Sequence, residues 1–185
     1  MIFRNFKTTV LAALTALIMA GCMDDNITLY DGPLLVEFAL QSGNPRANYS
    51  WNSTGRFWAG EIRGTLRADT AVQMQLIGPH QSQALEVGYY IAPEVYRDFS
   101  KNRLVAQQPE GVEGADWARL TTTAVEGTDY QLLDGGIITI PAGSSFGKLR
   151  LSTSPTGDRF MYIVLTERDV KPNVNANIFR LRIRP

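Results

Sequence analysis

Residues 147–165, with the sequence GKLRLSTSPTGDRFMYIVL, decide the fold. In the first half, Leu149 and Leu151 alternate with charged and polar neighbours, and this two-residue period predicts a strand with one buried face. The residues PTGD at 155–158 predict a turn. The run FMYIVL at 160–165 is apolar at every position, which predicts a central strand covered on both faces. The stretch therefore predicts two strands joined by a turn.

The same signals recur on both sides of this stretch. Alternating or β-branched apolar residues predict strands over 34–40, 61–67, 72–77, 85–91, 120–124, 137–141, 147–153, 160–165 and 178–184. Turns are predicted at 68–70, 78–79 and 134–136, where Gly, Pro and Asp accumulate. No helical pattern of ~10–15 residues separates the strands, so parallel α/β layering is not expected. The sequence predicts an all-β, antiparallel β-sandwich of about 8–9 strands.

Residues 94–116 fit the strand pattern least well. The segment 94–103 carries a weak pattern that predicts a short helix. The segment 107–116 contains Pro109, Gly111 and Gly114 and is predicted to be a loop.

Composition excludes several classes of function. The 185 residues include 18 basic and 18 acidic side chains, so the formal net charge is zero, and nucleic acid is not an expected partner. A single cysteine excludes an intrachain disulfide and any metal site that needs several cysteines. A single histidine leaves little for histidine-based catalysis. No cofactor is expected.

The N-terminus has the pattern of a secretory signal. Arg4 and Lys7 precede the apolar run 8–20, which is shorter than the ~20 residues that a membrane-spanning helix needs. The residues LIMAGC at 17–22 resemble a bacterial lipobox. This resemblance implies cleavage after residue 21 and lipid on Cys22; the alternative is an ordinary signal peptide followed by an unrelated cysteine. We therefore expect a signal peptide over 1–21, a lipidated Cys22 with a flexible tether over 22–33, and one β-sandwich domain over 34–185.

The polar residues MDDN at 23–26 follow the cysteine directly. They resemble the acidic signal that sends Bacteroidota lipoproteins to the cell surface. The resemblance implies an outer-membrane lipoprotein that faces outward; the alternative is a solvated linker.

Two further segments resemble a known domain family. AVEGTDY at 124–130, followed by IITIPAGSS at 137–145, is similar to a stretch of Calx-beta-like sandwich domains found in Bacteroidota lipoproteins of unknown function. The segments 72–79 and 87–91 are similar to the same proteins, so that the resemblance covers residues 60–185. It implies an Ig-like (Calx-beta-like) sandwich.

Calcium binding does not follow from this resemblance. Calcium-binding members carry further acidic residues after the next strand, whereas residues 151–157 here contain none. Calcium needs six to eight oxygen ligands. The scattered acids are interpreted as solvated loop carboxylates: Glu126, Asp129, Asp158, Glu167 and Asp169. No metal site is predicted, and Asp129 is expected to cap its own loop.

Four aromatic residues form the candidate ligand-binding set: Tyr49, Trp51, Phe57 and Trp58. They lie in a segment, 41–60, that is rich in Asn, Arg and Ser and is predicted to be a polar loop. Flat rings beside amide and guanidinium groups suit the faces and hydroxyls of sugars. The alternative is that the rings cover one open end of the sandwich.

Other candidates carry weaker signals. Thr70, in Asp69-Thr70-Ala71, matches a short O-glycosylation pattern at a predicted accessible turn, although three residues also match by chance. His80 lies in a predicted turn and is interpreted as an exposed residue. The strand at 178–184 places three arginines on one face, where they could meet a phosphate-bearing polymer or an acidic partner, or form a solvated face: Arg180, Arg182 and Arg184.

These observations favour a non-enzymatic, lipid-anchored envelope protein that binds a glycan or an outer-membrane partner protein. The first alternative is a structural or adhesion module without a small ligand. The second is an unrecognised hydrolase, although no G-x-S-x-G motif is present and no carboxylate pair stands out.

Overall fold

The computed structural model describes residues 31–39, 47–52, 57–108, 110 and 117–185, and the regular elements in these ranges are all β-strands. In chain order they are β1 (Leu35–Phe38), β2 (Ala47–Asn52), β3 (Phe57–Arg63), β4 (Leu66–Ile77), β5 (Leu85–Ala92), β6 (Glu94–Asp98), β7 (Arg103–Val105), β8 (Trp117–Thr121), β9 (Tyr130–Leu132), β10 (Ile137–Ile140), β11 (Phe146–Thr153), β12 (Arg159–Thr166), β13 (Lys171–Pro172) and β14 (Ile178–Arg184). Within the same ranges, we find no helix with the length and apolar character to cross a membrane. The predicted signal peptide, Cys22 and most of the predicted tether lie outside the described residues.

Two sheets pack face to face as a sandwich. The first has the strand order β13-β1-β4-β11-β9, and the second has the order β10-β5-β12-β14-β3-β2. Most neighbouring strands are antiparallel, but β1 with β13 and β3 with β14 are parallel pairs. Inward-facing side chains of both sheets share one core, including Val36, Met74 and Leu149 from the first sheet and Met161 and Leu181 from the second. The predicted all-β sandwich is confirmed.

More strands are present than the eight or nine expected. Three of the additional strands, β7, β9 and β13, have only two or three residues. An alternating pattern cannot be recognised over so short a segment. A loop of three residues often contains one apolar residue as well, so the two cannot be told apart.

A third sheet, with the order β7-β6-β8, covers the outer face of the six-stranded sheet. Val95 and Leu104 from this third sheet share a second apolar cluster with Tyr162 and Val164 of β12. Because the alternate residues of β12, such as Met161, face the main core, β12 is buried on both sides. The prediction of a doubly covered central strand over 160–165 is therefore confirmed.

The predicted helix over 94–103 is wrong. The segment forms β6 and the beginning of β7, an antiparallel hairpin in which Asp98 pairs with Arg103. Asp98 is buried, and its carboxylate accepts hydrogen bonds from the Ser100 hydroxyl and the Lys101 backbone N–H across the turn. Asn102 takes the left-handed conformation, with φ of 50°, that such tight turns need. The buried Val95 belongs to the second apolar cluster, and this tertiary contact outweighs the weak helical pattern.

The boundary predicted between 61–67 and the next strand is also wrong. The strand β3 ends at Arg63, and the chain turns at Gly64, whose φ of 77° favours glycine. The predicted turn at 68–70 lies instead within the twelve-residue strand β4. There the backbone pairs with β11, with Thr70 opposite Leu151, and this ladder keeps the segment extended.

Candidate functional site

An open groove of about 720 Å³ lies where four segments of the chain meet, and we call it the tyrosine groove. Its wall includes Tyr90 and Ile91 of β5, Tyr130 and Leu132 of β9, Thr121 at the end of β8, and Glu126. The turn between β9 and β10 closes one side with two glycines. The volume is within the ~300–1,000 Å³ of small-molecule sites, and the lining combines apolar surface with a few polar groups, as such sites do.

Two successive tyrosines of β5 face opposite sides of the strand. Tyr90 is 40% exposed and contributes its ring to the groove. Tyr89 belongs to the main core and is 5% exposed. Burial raises the pKa of Tyr89, and the carboxylates of Asp134 and Glu126 raise it further, while the backbone of Gly136 lowers it. Tyr89 is therefore a residue of the core and not of the groove lining.

Glu126 sits at the start of a tight turn that fixes its place in the groove. Gly127 has a φ of 78°, and its backbone N–H donates to the carbonyl of Tyr130 at 2.7 Å. Glu126 and Tyr130 also form an isolated β-bridge. The carboxylate of Glu126 is exposed, and no described residue forms a hydrogen bond or an ion pair with it. The turn thus presents an unpaired negative charge to the groove.

Tyr130 joins the groove to the core. Its side chain is 6% exposed, and burial raises its pKa to about 12, with further contributions from the carboxylate of Glu126 and from Tyr89. The phenol therefore stays protonated at neutral pH and is a hydrogen-bond donor as well as an acceptor. Since none of the described residues bonds with this hydroxyl, its hydrogen-bonding capacity is not used by the protein.

Asp129 holds the same turn from beneath. The carboxylate is 1% exposed and accepts hydrogen bonds from the backbone N–H groups of Val125 and Thr156 and from the Thr156 hydroxyl. The guanidinium of Arg159 lies 3.5 Å from its second oxygen. Burial raises the pKa of Asp129, but the three hydrogen bonds and Arg159 outweigh this and hold the pKa below its ordinary value. The predicted capping of its own loop is confirmed by the Val125 bond.

The acids of the Calx-beta-like segment do not converge. Among the described residues, no group of three or more His, Cys, Asp or Glu could hold a metal ion. Asp129 is engaged by Arg159, and Asp158 is engaged by Arg182.

A second, smaller cavity of about 280 Å³ is also lined by Tyr130. Its lining is rich in hydroxyl groups from β11 and from the connections between strands: Thr65, Thr128, Ser152, Thr153 and Ser154. The Thr153 hydroxyl donates to the carbonyl of Gly64 at 3.1 Å, so that part of this lining serves the fold.

The four predicted aromatic residues lie on a hairpin and not in a polar loop. Tyr49 and Trp51 belong to β2, Phe57 and Trp58 belong to β3, and Trp51 is the direct cross-strand partner of Trp58. The loop prediction is wrong because the two segments pair with each other, and β3 also pairs with β14. The described structure includes the backbone of these four residues, and the ligand role of their side chains stays a prediction.

Strand register separates one of these residues from the other three. Trp58 pairs in parallel with Phe179 of β14, which lies in the main core. Tyr49 and Trp51 follow the same alternation on β2, whereas Phe57 occupies the opposite set. In the backbone register, Phe57 is therefore one position out of phase with the other three residues.

Thr70 lies inside a paired strand, contrary to the accessible turn that the O-glycosylation prediction assumed. It is the partner of Leu151 between β4 and β11. Modification of Thr70 stays an untested prediction, but its structural premise is wrong because the ladder extends through this position. Lipidation of Cys22 falls outside the described residues.

The predicted arginine face exists on β14, and its charges are partly compensated. Arg182 donates from two nitrogens to the two carboxylate oxygens of Asp158, and it also lies 3.3 Å from Glu61. Arg184 lies 3.7 Å from the same glutamate. Arg180 stacks near an aromatic ring of β12 at 5.9 Å. These contacts indicate that the three arginines form a solvated, ion-paired face, and they do not favour a polymer-binding face.

His80 lies exposed between β4 and β5, as predicted, and no described residue forms an ion pair with it. It does not belong to the lining of the tyrosine groove. The sequence does not predict the groove lining as a set, although Glu126 and Tyr130 belong to one sequence motif. Tyr90 carried no separate signal, because an aromatic residue in an alternating strand is ordinary.

The fold and the groove define an all-β sandwich with an open polar and aromatic site at its side. No family model matches the chain, and no curated protein matches it. Among solved structures, it is similar to CBD12 from CALX1.2, with 18% identity and a TM-score of 0.39, over 75% of this chain and 43% of that one. It is also similar to a "putative carbohydrate binding protein" from Bacteroides ovatus, with 10% identity and a TM-score of 0.42, over 82% of this chain and 37% of that one. The chain thus spans less than half the length of either structure.

Proposed function

We propose that this protein is a lipid-anchored envelope protein that binds a glycan in the tyrosine groove without chemically changing it. The observation that carries the proposal is the pairing of an exposed ring, Tyr90, with unpaired polar groups on Glu126 and Tyr130 in one open groove. The predicted anchor on Cys22 and an outward-facing, outer-membrane location complete the proposal.

The chemistry of the groove matches the chemistry of a sugar ring. A sugar has apolar C–H faces and a rim of hydroxyls, so it needs both a flat apolar contact and hydrogen-bonding groups. The ring of Tyr90 offers the flat contact, with Ile91 and Leu132 as further apolar surface. A carboxylate accepts two hydrogen bonds from vicinal hydroxyls, and a protonated phenol can donate one.

The predicted tether would hold the binding site at the cell envelope. A lipidated Cys22 with more than one acyl chain would hold the domain stably at a membrane. The residues 23–33 would then keep the sandwich away from the lipid surface, leaving the groove open to polymers at the envelope.

A glycan array with the detergent-solubilised protein tests the proposal, followed by affinity measurements on the glycans that are retained. Tyr90→Ala is expected to weaken binding about tenfold, the loss of one ring contact. Phe99→Ala is the matched control, because Phe99 is a similarly exposed aromatic at 45% but lies at the hairpin tip of the third sheet. If the array retains no glycan, or if both variants lose the same affinity, binding in the groove is refuted.

The competing aromatic hairpin has its own test. A Trp51→Ala/Trp58→Ala double variant should bind as the parent protein does if the groove is the site. If the double variant loses binding and Tyr90→Ala does not, the binding site lies on the hairpin. Shortening of a retained oligosaccharide during incubation would instead support a hydrolase.

A further inference from the structure

We infer that the tyrosine groove selects glycans that carry a protonated amine, with Glu126 as the counter-ion of the ammonium group. This inference rests on the glycan-binding function proposed above and names the class of sugar that the groove prefers.

The first support is the contrast between Glu126 and the two acidic residues that follow it, Asp129 and Asp134. Asp129 faces the guanidinium of Arg159 at 3.5 Å, and Asp134 faces that of Arg150 at 3.0 Å. Both of these charges are therefore compensated within the protein. Glu126, which precedes both in sequence, has no such partner among the described residues. The negative charge of Glu126 is therefore available to pair with a ligand.

The second support is the absence of a competing cation in the groove. Its lining, as far as the structure describes the chain, contains no Lys, Arg or His. An anionic sugar would meet an uncompensated carboxylate there, and like charges at close range cost binding energy. A neutral sugar would meet the carboxylate only as a hydrogen-bond acceptor. An ammonium group gains both a charge-assisted hydrogen bond and the ion pair.

The third support is that the groove lining combines Glu126 with two tyrosines, of which Tyr90 has an exposed ring. Tyr90 and Tyr130 both line the groove, and Tyr130 is joined to Glu126 by the β-bridge. A cation over a tyrosine face is attracted by the ring quadrupole, more strongly where water is partly excluded. A single carboxylate in a groove with an exposed ring favours an organic ammonium over a metal ion, which would need more oxygen ligands.

The unused hydroxyls favour a sugar amine over the side chain of a peptide lysine. The hydroxyls of Tyr90 and Tyr130, two residues that line the groove, form no hydrogen bond with any described residue. A hexosamine carries hydroxyls next to its amine and can use these groups together with Glu126. A lysine side chain is apolar up to its ammonium group and cannot.

The test compares oligosaccharides of equal length that differ only in acetylation. Affinities of the detergent-solubilised protein are measured by calorimetry for chitosan hexamer, chitin hexamer and cello-hexaose, in mildly acidic, low-salt buffer. The fully deacetylated hexamer is expected to bind about tenfold more tightly than either neutral one, since a tenfold ratio corresponds to ~1.4 kcal/mol, the scale of one partly exposed ion pair. Glu126→Gln should abolish this preference while retaining binding of the neutral hexamers.

The control variant is Glu167→Gln, which removes an exposed carboxylate outside the groove and should leave the preference intact. Equal affinities for all three hexamers, or a preference that survives Glu126→Gln, would overturn the inference while leaving glycan binding in place. Binding of an oligolysine peptide with a loss in Glu126→Gln, and of none of the hexamers, would overturn it in favour of a peptide ligand. If array and calorimetry find no glycan at all, the proposed function itself fails.

Discussion

The carboxylate of Asp129 accepts two hydrogen bonds from Thr156, one from the backbone N–H at 3.1 Å and one from the hydroxyl at 2.9 Å. The two residues belong to different connections, the turn before β9 and the turn between β11 and β12. Together with the Val125 bond, this pair ties the Glu126 turn to the adjacent strand connection. The position of the groove carboxylate therefore depends on a buried residue three positions away.

Removing this carboxylate should destabilise the fold. Asp129→Ala leaves two backbone N–H groups and the Arg159 guanidinium without their acceptor, and hydrogen bonds to a charged group are worth about 1.5–3 kcal/mol each in net stability. We expect the free energy of unfolding to fall by about 2–4 kcal/mol, measured by urea denaturation. Thr156→Val, which removes the hydroxyl alone, should cost less. If Asp129→Ala lowers the free energy of unfolding no more than the exposed Glu167→Ala does, the hydrogen bonds of Asp129 do not stabilise the fold.

The same residue predicts how stability responds to acid. The folded pKa of Asp129 lies below its ordinary value of 3.8, so its stabilising contribution is complete above that value. As the pH falls below 3.8, the unfolded chain binds the proton first, and the contribution is lost as the pH passes through the folded pKa. The difference in unfolding free energy between the parent protein and Asp129→Asn should therefore shrink on acidification from about pH 5 to about pH 2. A difference that stays constant over this range would contradict the assigned direction.

The sequence predicted the sandwich better than it predicted the site. Runs with a clear period, such as residues 147–153 and 160–165, predicted strands because each period reports which faces are buried. Residues 94–103 were misassigned since their burial depends on contacts with β12, which is distant in sequence. The groove could not be derived for the same reason: Tyr90 and Glu126 approach each other only when strands far apart in the chain are assembled. Asp129 was predictable as a loop cap, but its contacts with Thr156 and Arg159 were not.

The third sheet should contribute measurable stability. Val95 of β6 is fully buried in the apolar cluster that it forms with Tyr162 and Val164. Val95→Ala removes two methyl groups from this cluster and is expected to lower the free energy of unfolding by about 1–2 kcal/mol. Val174→Ala makes the identical change at a side chain that is 61% exposed, and its effect should be within about 0.5 kcal/mol of zero. Similar effects of both variants would mean that the third sheet does not pack stably on β12.

Gly147 should tolerate no larger side chain. A Cβ at this position would lie 3.0 Å from side-chain carbons of both Ile138 and Ile140, and 3.2 Å from the carbonyl of Thr139. Gly147→Val is therefore expected to force β10 away from β11 and to cost about 1–3 kcal/mol in a urea denaturation. Lys148→Val places the same side chain at the next position of β11, which is exposed, and should cost much less. A stable Gly147→Val protein would show that the two strands are further apart than described.

The single cysteine supports a sharp test of the anchor. In Cys22→Ser, the atom that would carry the lipid is an oxygen and not a sulfur, and the lipobox resemblance implies that cleavage after residue 21 also fails. We expect the parent protein to incorporate labelled fatty acid and to fractionate with membranes, and the variant to lose the label. Met23→Ser, at the neighbouring position, is the matched control and should retain it. Because one acyl chain binds a membrane only marginally whereas two or more hold a protein stably, stable membrane association would indicate more than one chain on Cys22. Equal labelling of Cys22→Ser and the parent protein would exclude this cysteine as the anchor and, with it, the envelope setting proposed for the groove.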